Sequence, residues 1–62
     1  MWQVGGVARI EPRMGAWMAW VKLASPDAEE TVPMDFRDQP TEQQVLAEAQ
    51  RLVDGRNAPQ EP

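Results

Sequence analysis

The sequence predicts an α+β domain: a three-stranded antiparallel β-meander of order 1-2-3 with one C-terminal α-helix packed on one face. Two observations carry this prediction. Up to residue 37, apolar and polar residues alternate with period two, the pattern of half-buried strands. After residue 40, apolar residues recur at the spacing of an amphipathic helix. One sheet face and one helix stripe then bury each other, which predicts a single domain at residues 1–55.

The first predicted strand covers residues 2–11. Its core face is predicted to carry Trp2, Val4, Gly6, Ala8 and Ile10, and its opposite face Gln3, Gly5, Val7, Arg9 and Glu11. Gly5-Gly6 weakens the strand pattern and suggests a bulge or a close backbone approach. A turn over residues 12–15 follows, marked by a proline and a glycine.

The second predicted strand, residues 15–24, is the centre of the sheet. One of its faces, predicted to be in the core, carries Trp17, Ala19, Val21 and Leu23; the other carries Met18, Trp20 and Lys22. The third strand, residues 31–37, is predicted to be an edge because Pro33 has no N–H to donate to a strand ladder. Its core-facing residues are Val32, Met34 and Phe36.

Turn lengths predict the register of both hairpins. Closing the first hairpin on residues 12–15 pairs Ile10 with Trp17, Ala8 with Ala19, and Val4 with Leu23. Closing the second on residues 25–28 pairs Val21 with Val32, Ala19 with Met34, and Trp17 with Phe36. Both registers place apolar residues opposite apolar residues, which a slip by one residue would destroy.

The predicted helix begins at a capping box, in which Thr41 precedes Gln44 by three positions. Its apolar stripe comprises Val45, Leu46, Ala49, Leu52 and Val53. Gly55 is the predicted C-terminal stop, since glycine is the preferred residue just after a helix. The remaining residues, 56–62, have no apolar stripe and two prolines, which predicts a disordered C-terminal tail.

Composition excludes several classes of function. The 62 residues include neither cysteine nor histidine, so disulfides, thiolate metal sites and a histidine-based catalytic triad are all excluded. We therefore predict no enzyme, no cofactor, no metal site and no small-molecule substrate. No segment approaches the roughly 20 apolar residues of a membrane span, so we expect no membrane partner, and the lack of cysteine leads us to expect a cytoplasmic protein. The net charge of −4 argues against general nucleic-acid binding.

The candidate site is the sheet face opposite the helix, which three strands and one helix leave uncovered. Tryptophan and methionine are enriched at protein interfaces, and a central tryptophan is a typical hot spot. The predicted partner-binding residues are Val7, Arg9, Met18, Trp20, Lys22, Pro33, Asp35 and Arg37. The predicted occupant is a protein partner or a second copy in a homo-oligomer. The alternative is single-stranded nucleic acid stacking on the same aromatic and basic face.

Two resemblances add to these expectations. The order of elements, carried by residues 15–21, 25–27, Phe36 and the helix from Thr41, resembles the arm-binding domain of tyrosine-recombinase integrases and the plant AP2 domain. That resemblance implies a DNA-binding sheet. The short, acidic and tryptophan-rich chain also resembles small accessory proteins of bacteriophages and prophages. This second resemblance implies a virion component or an inhibitor that docks on a host protein, in the host cytoplasm or the virion.

Overall fold

A computed structural model describes residues 1–58 and contains three strands and one helix. Strand β1 spans Gln3–Arg13, β2 spans Ala16–Ser25 and β3 spans Ala28–Phe36, and helix α1 spans Glu42–Asn57. The strands form one antiparallel sheet in the order β1-β2-β3, and α1 packs against one side of it. The predicted α+β meander with a C-terminal helix is confirmed.

The buried core joins the central strand to the helix. Its fully buried members are Ala19, Val21 and Leu23 from β2 and Val45, Ala49 and Val53 from α1. The helix lies mainly over β1 and β2. As a result, the inward residues of β3 are only half-buried; these are Val32, Met34 and Phe36. Because β2 alone among the strands supplies fully buried side chains, the packing of the helix depends chiefly on it.

Several predicted core residues lie outside this cluster, and Trp17 and Leu52 are the largest changes from the prediction. Trp17 faces the helix side of the sheet, but it is only half-buried. It lies at the start of β2, opposite Pro12 and Phe36. Leu52 is 38% exposed, because it lies at the margin of the helix stripe where β3 is poorly covered. Both predictions assumed a helix centred over all three strands.

The second hairpin has the predicted register. Val21 lies opposite Val32, Ala19 opposite Met34, and Trp17 opposite Phe36. The strands are joined by a two-residue turn between Ser25 and Ala28. This agreement follows from the short turn, since its length determines which residues face each other.

The first hairpin closes one step later than predicted. Arg13 pairs with Ala16, so the loop consists of Met14 and Gly15, with φ angles of 49° and 83°. Two consecutive positive φ angles are the signature of the tight turn that matches the twist of a hairpin. The pairs Ile10–Trp17 and Ala8–Ala19 are therefore wrong: Ile10 lies opposite Ala19 and Pro12 opposite Trp17.

Two irregularities bring β1 back to the predicted pairing at its other end. The register shifts once between Val4 and Gly6 and again between Val7 and Arg9, so Val4 lies opposite Leu23 as predicted. Each bulge inserts one extra residue and reverses the alternation that follows. The glycine pair marks the first bulge, where Gly6 has a φ of 116°.

The turn conformation of Met14 makes a testable prediction about stability. A left-handed conformation costs a residue with a Cβ about 1–2 kcal/mol, and asparagine tolerates it better. The Met14 side chain is 100% exposed, so replacing it removes no contact. We expect Met14→Asn to stabilise the domain by about 1 kcal/mol, which raises the melting temperature by about 4–8 °C. Met14→Ala keeps the strain and serves as the control; equal melting temperatures for the two variants would contradict this account.

The helix begins as predicted. The Oγ1 of Thr41 accepts a hydrogen bond from the backbone N–H of Gln44 at 3.1 Å, and the backbone N–H of Thr41 donates to Oε1 of Gln44 at 2.9 Å. This capping box satisfies two backbone donors that have no partner within the helix. Glu42 in the first turn adds a favourable charge near the positive end of the helix dipole.

The prediction that the helix stops at Gly55 is wrong, because α1 continues to Asn57. The amide of Asn57 pairs with the backbone of Trp2, accepting from its N–H at 2.7 Å and donating to its carbonyl at 2.8 Å. Nη2 of Arg56 lies 2.8 Å from Oε2 of Glu30, and its guanidinium carbon lies 4.7 Å from the centre of the Trp2 ring. These contacts, named the C-terminal clasp, offset the cost of about 1 kcal/mol for glycine in a helix.

The clasp corrects the predicted domain boundary. Residues 56 and 57 belong to the folded domain, so the prediction that the chain is disordered from residue 56 is wrong for these two residues. Residues 59–62, the rest of the predicted tail, lie outside the described residues. Within residues 1–58, α1 lacks the length and the apolar character that a membrane-crossing helix requires.

Candidate interaction face

The side of the sheet that faces away from α1, named the outer face, is not covered by any element within residues 1–58. Residues opposite each other on antiparallel strands project from the same side. The register therefore arranges this face in rows across β1, β2 and β3. Successive rows contain Glu11, Met18 and Asp35; then Arg9, Trp20 and Pro33; then Gly6, Lys22 and Thr31. Arg13 lies one row beyond, next to the first hairpin turn, opposite Ala16.

Trp20 occupies the centre of the outer face and is held by two neighbours. Its Nε1 donates a hydrogen bond to Oε1 of Glu11 at 3.3 Å. The same Glu11 oxygen lies 3.5 Å from Nη2 of Arg9, whose guanidinium carbon lies 5.2 Å from the centre of the Trp20 ring. That distance is within the range of a cation–π contact. The indole is therefore half-buried and oriented before any partner arrives.

Met18 and Pro33 extend the apolar centre on either side of Trp20 in the sheet. Met18 is half-buried, and its sulfur lies 3.8 Å from Nη1 of Arg13. Pro33 is exposed in the same row as Trp20. An aromatic residue, a methionine and arginines surrounding a small apolar centre are typical of protein interfaces.

The charges on the outer face are nearly balanced, although the chain is acidic. The face carries three of the six cationic side chains, from Arg9, Arg13 and Lys22, and three of the ten carboxylates, from Glu11, Asp35 and Glu29; Glu29 lies opposite Ala24, one row beyond Lys22. Among residues 1–58, neither Lys22 nor Asp35 forms an ion pair. The outer face is therefore less acidic than the rest of the chain, which carries three cations and seven carboxylates.

Both edges of the sheet are poor sites for adding a further strand. The two bulges of β1 interrupt the regular row of backbone groups that an added strand would need. On β3, Pro33 removes one backbone N–H from the middle of the strand. The surface that this sheet leaves open for packing is consequently its face rather than its edges.

Two predicted site residues are placed differently by the structure. Val7 lies opposite Val21 and packs against the core, so its assignment to the outer face is wrong; the second bulge causes this reversal. The extra residue of that bulge, Ala8, is exposed although a core position was predicted. Arg37 follows the end of β3 and lines a groove shared with Glu48 of the helix, at the border of the outer face.

The remaining predicted residues do share the outer face. They are Arg9, Met18, Trp20, Lys22, Pro33 and Asp35. Sequence reasoning left out Glu11, which anchors the indole of Trp20, although the alternation placed it on the same side as Arg9. It also left out Arg13, because this residue was assigned to the turn rather than to β1.

Comparisons of this chain with protein-family models, with curated proteins and with solved structures find no match.

Proposed function

We propose that this protein is a non-enzymatic protein-interaction module that binds its partner through the outer face. The observation that carries the proposal is the pre-oriented Trp20 at the centre of an uncovered sheet face, fixed by Glu11 and Arg9. A side chain that is already ordered loses less conformational entropy on binding. Tryptophan in such a central position is the residue type that most often carries binding energy.

The arrangement around Trp20 supports a protein partner in particular. The apolar centre is rimmed by Arg9, Glu11, Lys22 and Asp35, which can form hydrogen bonds and ion pairs at the margin of an interface. The resemblance to phage accessory proteins adds the expectation that a foreign partner is a bacterial host protein or a virion component. We accordingly place the protein in the host cytoplasm or in a virion.

Trp20→Ala tests this proposal. The indole points away from the core, so we expect the variant to stay folded while partner binding weakens by about 30- to 1,000-fold, the usual cost of truncating a hot spot. The measurement is capture by the immobilised chain from an extract of its native cells, followed by titration of the captured protein. Circular dichroism checks that the variant is folded.

Leu52→Ala is the matched control because it removes an exposed apolar side chain from the margin of the helix, outside the rows of the outer face. We expect this variant to bind like the wild type. A captured protein that binds the Trp20→Ala chain as tightly as the wild type would show that the outer face is not the interface.

Nucleic acid is the second candidate, favoured by the concentration of three of the six cations on this one face. Against it, the guanidinium of Arg9 occupies one face of the Trp20 ring, and the carboxylates of Glu11 and Asp35 in the adjoining row would repel phosphates. Titration with a labelled single-stranded oligonucleotide at low and high salt distinguishes the two. Binding that falls steeply with salt and requires Arg9, Arg13 and Lys22 would replace the protein-interaction proposal.

A further inference from the structure

We infer that the outer face binds a second copy of this chain, with the two sheets packed face to face and their strands running end for end. This inference rests on the proposed function and specifies its partner. It is carried by the arrangement of charges in the rows of the outer face. The relevant residues are Glu11 and Asp35 in one row, Trp20 in the next, and Lys22 in the third.

A two-fold axis between two packed sheets can run in either of two directions in the plane of the sheets. In the first arrangement, the axis passes through Trp20 and runs across the strands. Each strand then lies over the same strand of the second copy, with the order of rows reversed. The row of Lys22 faces the row of Glu11, Met18 and Asp35, while Trp20 and Arg9 each meet their own copy. Packed sheets lie about 10 Å apart, a gap that long side chains from both sides fill.

This first arrangement pairs two charges that form no ion pair among residues 1–58 of one chain, those of Lys22 and Asp35. The ammonium group of Lys22 enters between the carboxylates of Glu11 and Asp35 of the other copy. Because the axis is two-fold, the dimer contains two such contacts. Apolar contact between the two Trp20 side chains lies at the centre, where binding energy is usually concentrated.

The second arrangement, with the axis along the strands, is disfavoured by the same residues. It keeps the order of rows and places β1 over β3, so Lys22 faces Lys22 and Glu11 faces Asp35. Like charges placed opposite each other across an interface cost several kcal/mol. The end-for-end dimer has one such contact, Arg9 against Arg9, and each of these guanidinium groups is paired with Glu11 of its own chain. The alternative has three, one between lysines and two between Glu11 and Asp35, so the charge pattern favours the end-for-end dimer.

The dimensions of the face indicate the strength of association. The outer face spans eight residue steps of β2 and three strands, about 27 Å by 14 Å at standard strand spacings. This footprint of about 400 Å² is smaller than the roughly 800 Å² that each partner buries in a standard interface. The dimer should consequently be weak and dependent on protein concentration.

Sedimentation equilibrium of the full chain, from about 10 μM to 1 mM, tests the inference, since this range covers weak association. We expect the wild type to pass from monomer to dimer. Lys22→Glu places carboxylates against carboxylates, and Asp35→Lys places cations against cations, so each variant alone should dimerise at least about tenfold more weakly. An equimolar mixture of the two variants should recover association to within about threefold of the wild type, because opposite charges then face each other.

Each other outcome overturns the inference. A wild type that stays monomeric throughout excludes the second copy as the occupant, and a dimer that Lys22→Glu leaves unchanged, or a mixture that does not recover, excludes the end-for-end geometry. A monomeric wild type that still captures a foreign protein through Trp20 leaves the proposed function intact. A wild type that neither dimerises nor captures a foreign protein contradicts the proposed function as well.

Discussion

Leu23→Ala should destabilise the domain by about 3–5 kcal/mol, the range for truncating a fully buried leucine. Leu23 is 0% exposed near the C-terminal end of β2, where it packs in the cluster formed by the strand and α1. A single core in a chain of this size supplies about 3–5 kcal/mol of net stability. We therefore expect most of the Leu23→Ala protein to be unfolded at 25 °C, measured by circular dichroism and urea titration.

Leu52→Ala provides the control for the same chemical change. Leu52 is 38% exposed on the helix margin, and alanine has the higher helix propensity. We expect a loss below about 1 kcal/mol, the scale for a surface substitution. Equal destabilisation by the two leucine substitutions would mean that burial in the β2–α1 cluster does not determine stability.

Much of the fold could be predicted from the sequence because its patterns are local. The alternation in β2 assigned Ala19, Val21 and Leu23 to the buried side and Trp20 to the other, and both assignments hold. The capping box at Thr41 located the start of α1 within one residue. In each case the responsible interactions lie within a few positions along the chain, so the sequence pattern is sufficient.

The pairing of β1 could be predicted only in part. The glycine pair signalled the first bulge, but nothing distinctive in the residues around Ala8 marks the second. A bulge reverses the alternation beyond it, so one unrecognised bulge was enough to exchange the positions of Val7 and Ala8. The predicted turn over residues 12–15 also includes Pro12 and Arg13, which belong to β1, whereas the loop consists of Met14 and Gly15.

The depth of burial of Trp17 depends on where the helix lies, which the period of the strand does not determine. The alternation identified its side of the sheet correctly. The helix covers mainly β1 and β2, so the side chains at the N-terminal end of β2, next to Phe36, remain half-buried. Residue size alone would suggest that Trp17 is the more important core residue, whereas the packing assigns that role to Leu23.

The candidate site was predicted in its position but not in its internal contacts. Strand alternation was sufficient to bring Trp20, Arg9 and Lys22 together. The hydrogen bond from Trp20 to Glu11 depends on the observed register of the first hairpin, which differs from the predicted one. In this register Glu11 lies opposite Met18 and therefore diagonal to Trp20. Without that register, the indole would have been described as an exposed ring rather than as an ordered one.

The end of the helix was missed because its stabilising contacts are distant in sequence. Asn57 and Trp2 are 55 positions apart, so no local pattern reports their pairing. Locally, the sequence shows only a glycine followed by polar residues and proline, a typical helix stop. The clasp adds tertiary contacts that reverse this local preference.

Removing residues 56–62 should therefore destabilise the domain by about 2–4 kcal/mol. The shortened chain loses two hydrogen bonds between Asn57 and Trp2, each worth about 0.5–1.5 kcal/mol. It also loses the ion pair of Arg56 with Glu30 and the stacking of Arg56 on Trp2, each a contact of about 0.5–1 kcal/mol near a surface. At about 4–8 °C per kcal/mol, the melting temperature should fall by roughly 10–25 °C.

A chain ending at Ala58 is the matched control, since it keeps Arg56 and Asn57 of the clasp and removes only Pro-Gln-Glu-Pro. We expect its melting temperature to match that of the full chain, because the removed residues include no apolar side chain that could add to the core. Asn57→Ala in the full chain should reproduce about half of the loss. If the chain ending at Gly55 melts at the same temperature as the one ending at Ala58, the clasp contributes nothing and the domain boundary at residue 55 is the correct one.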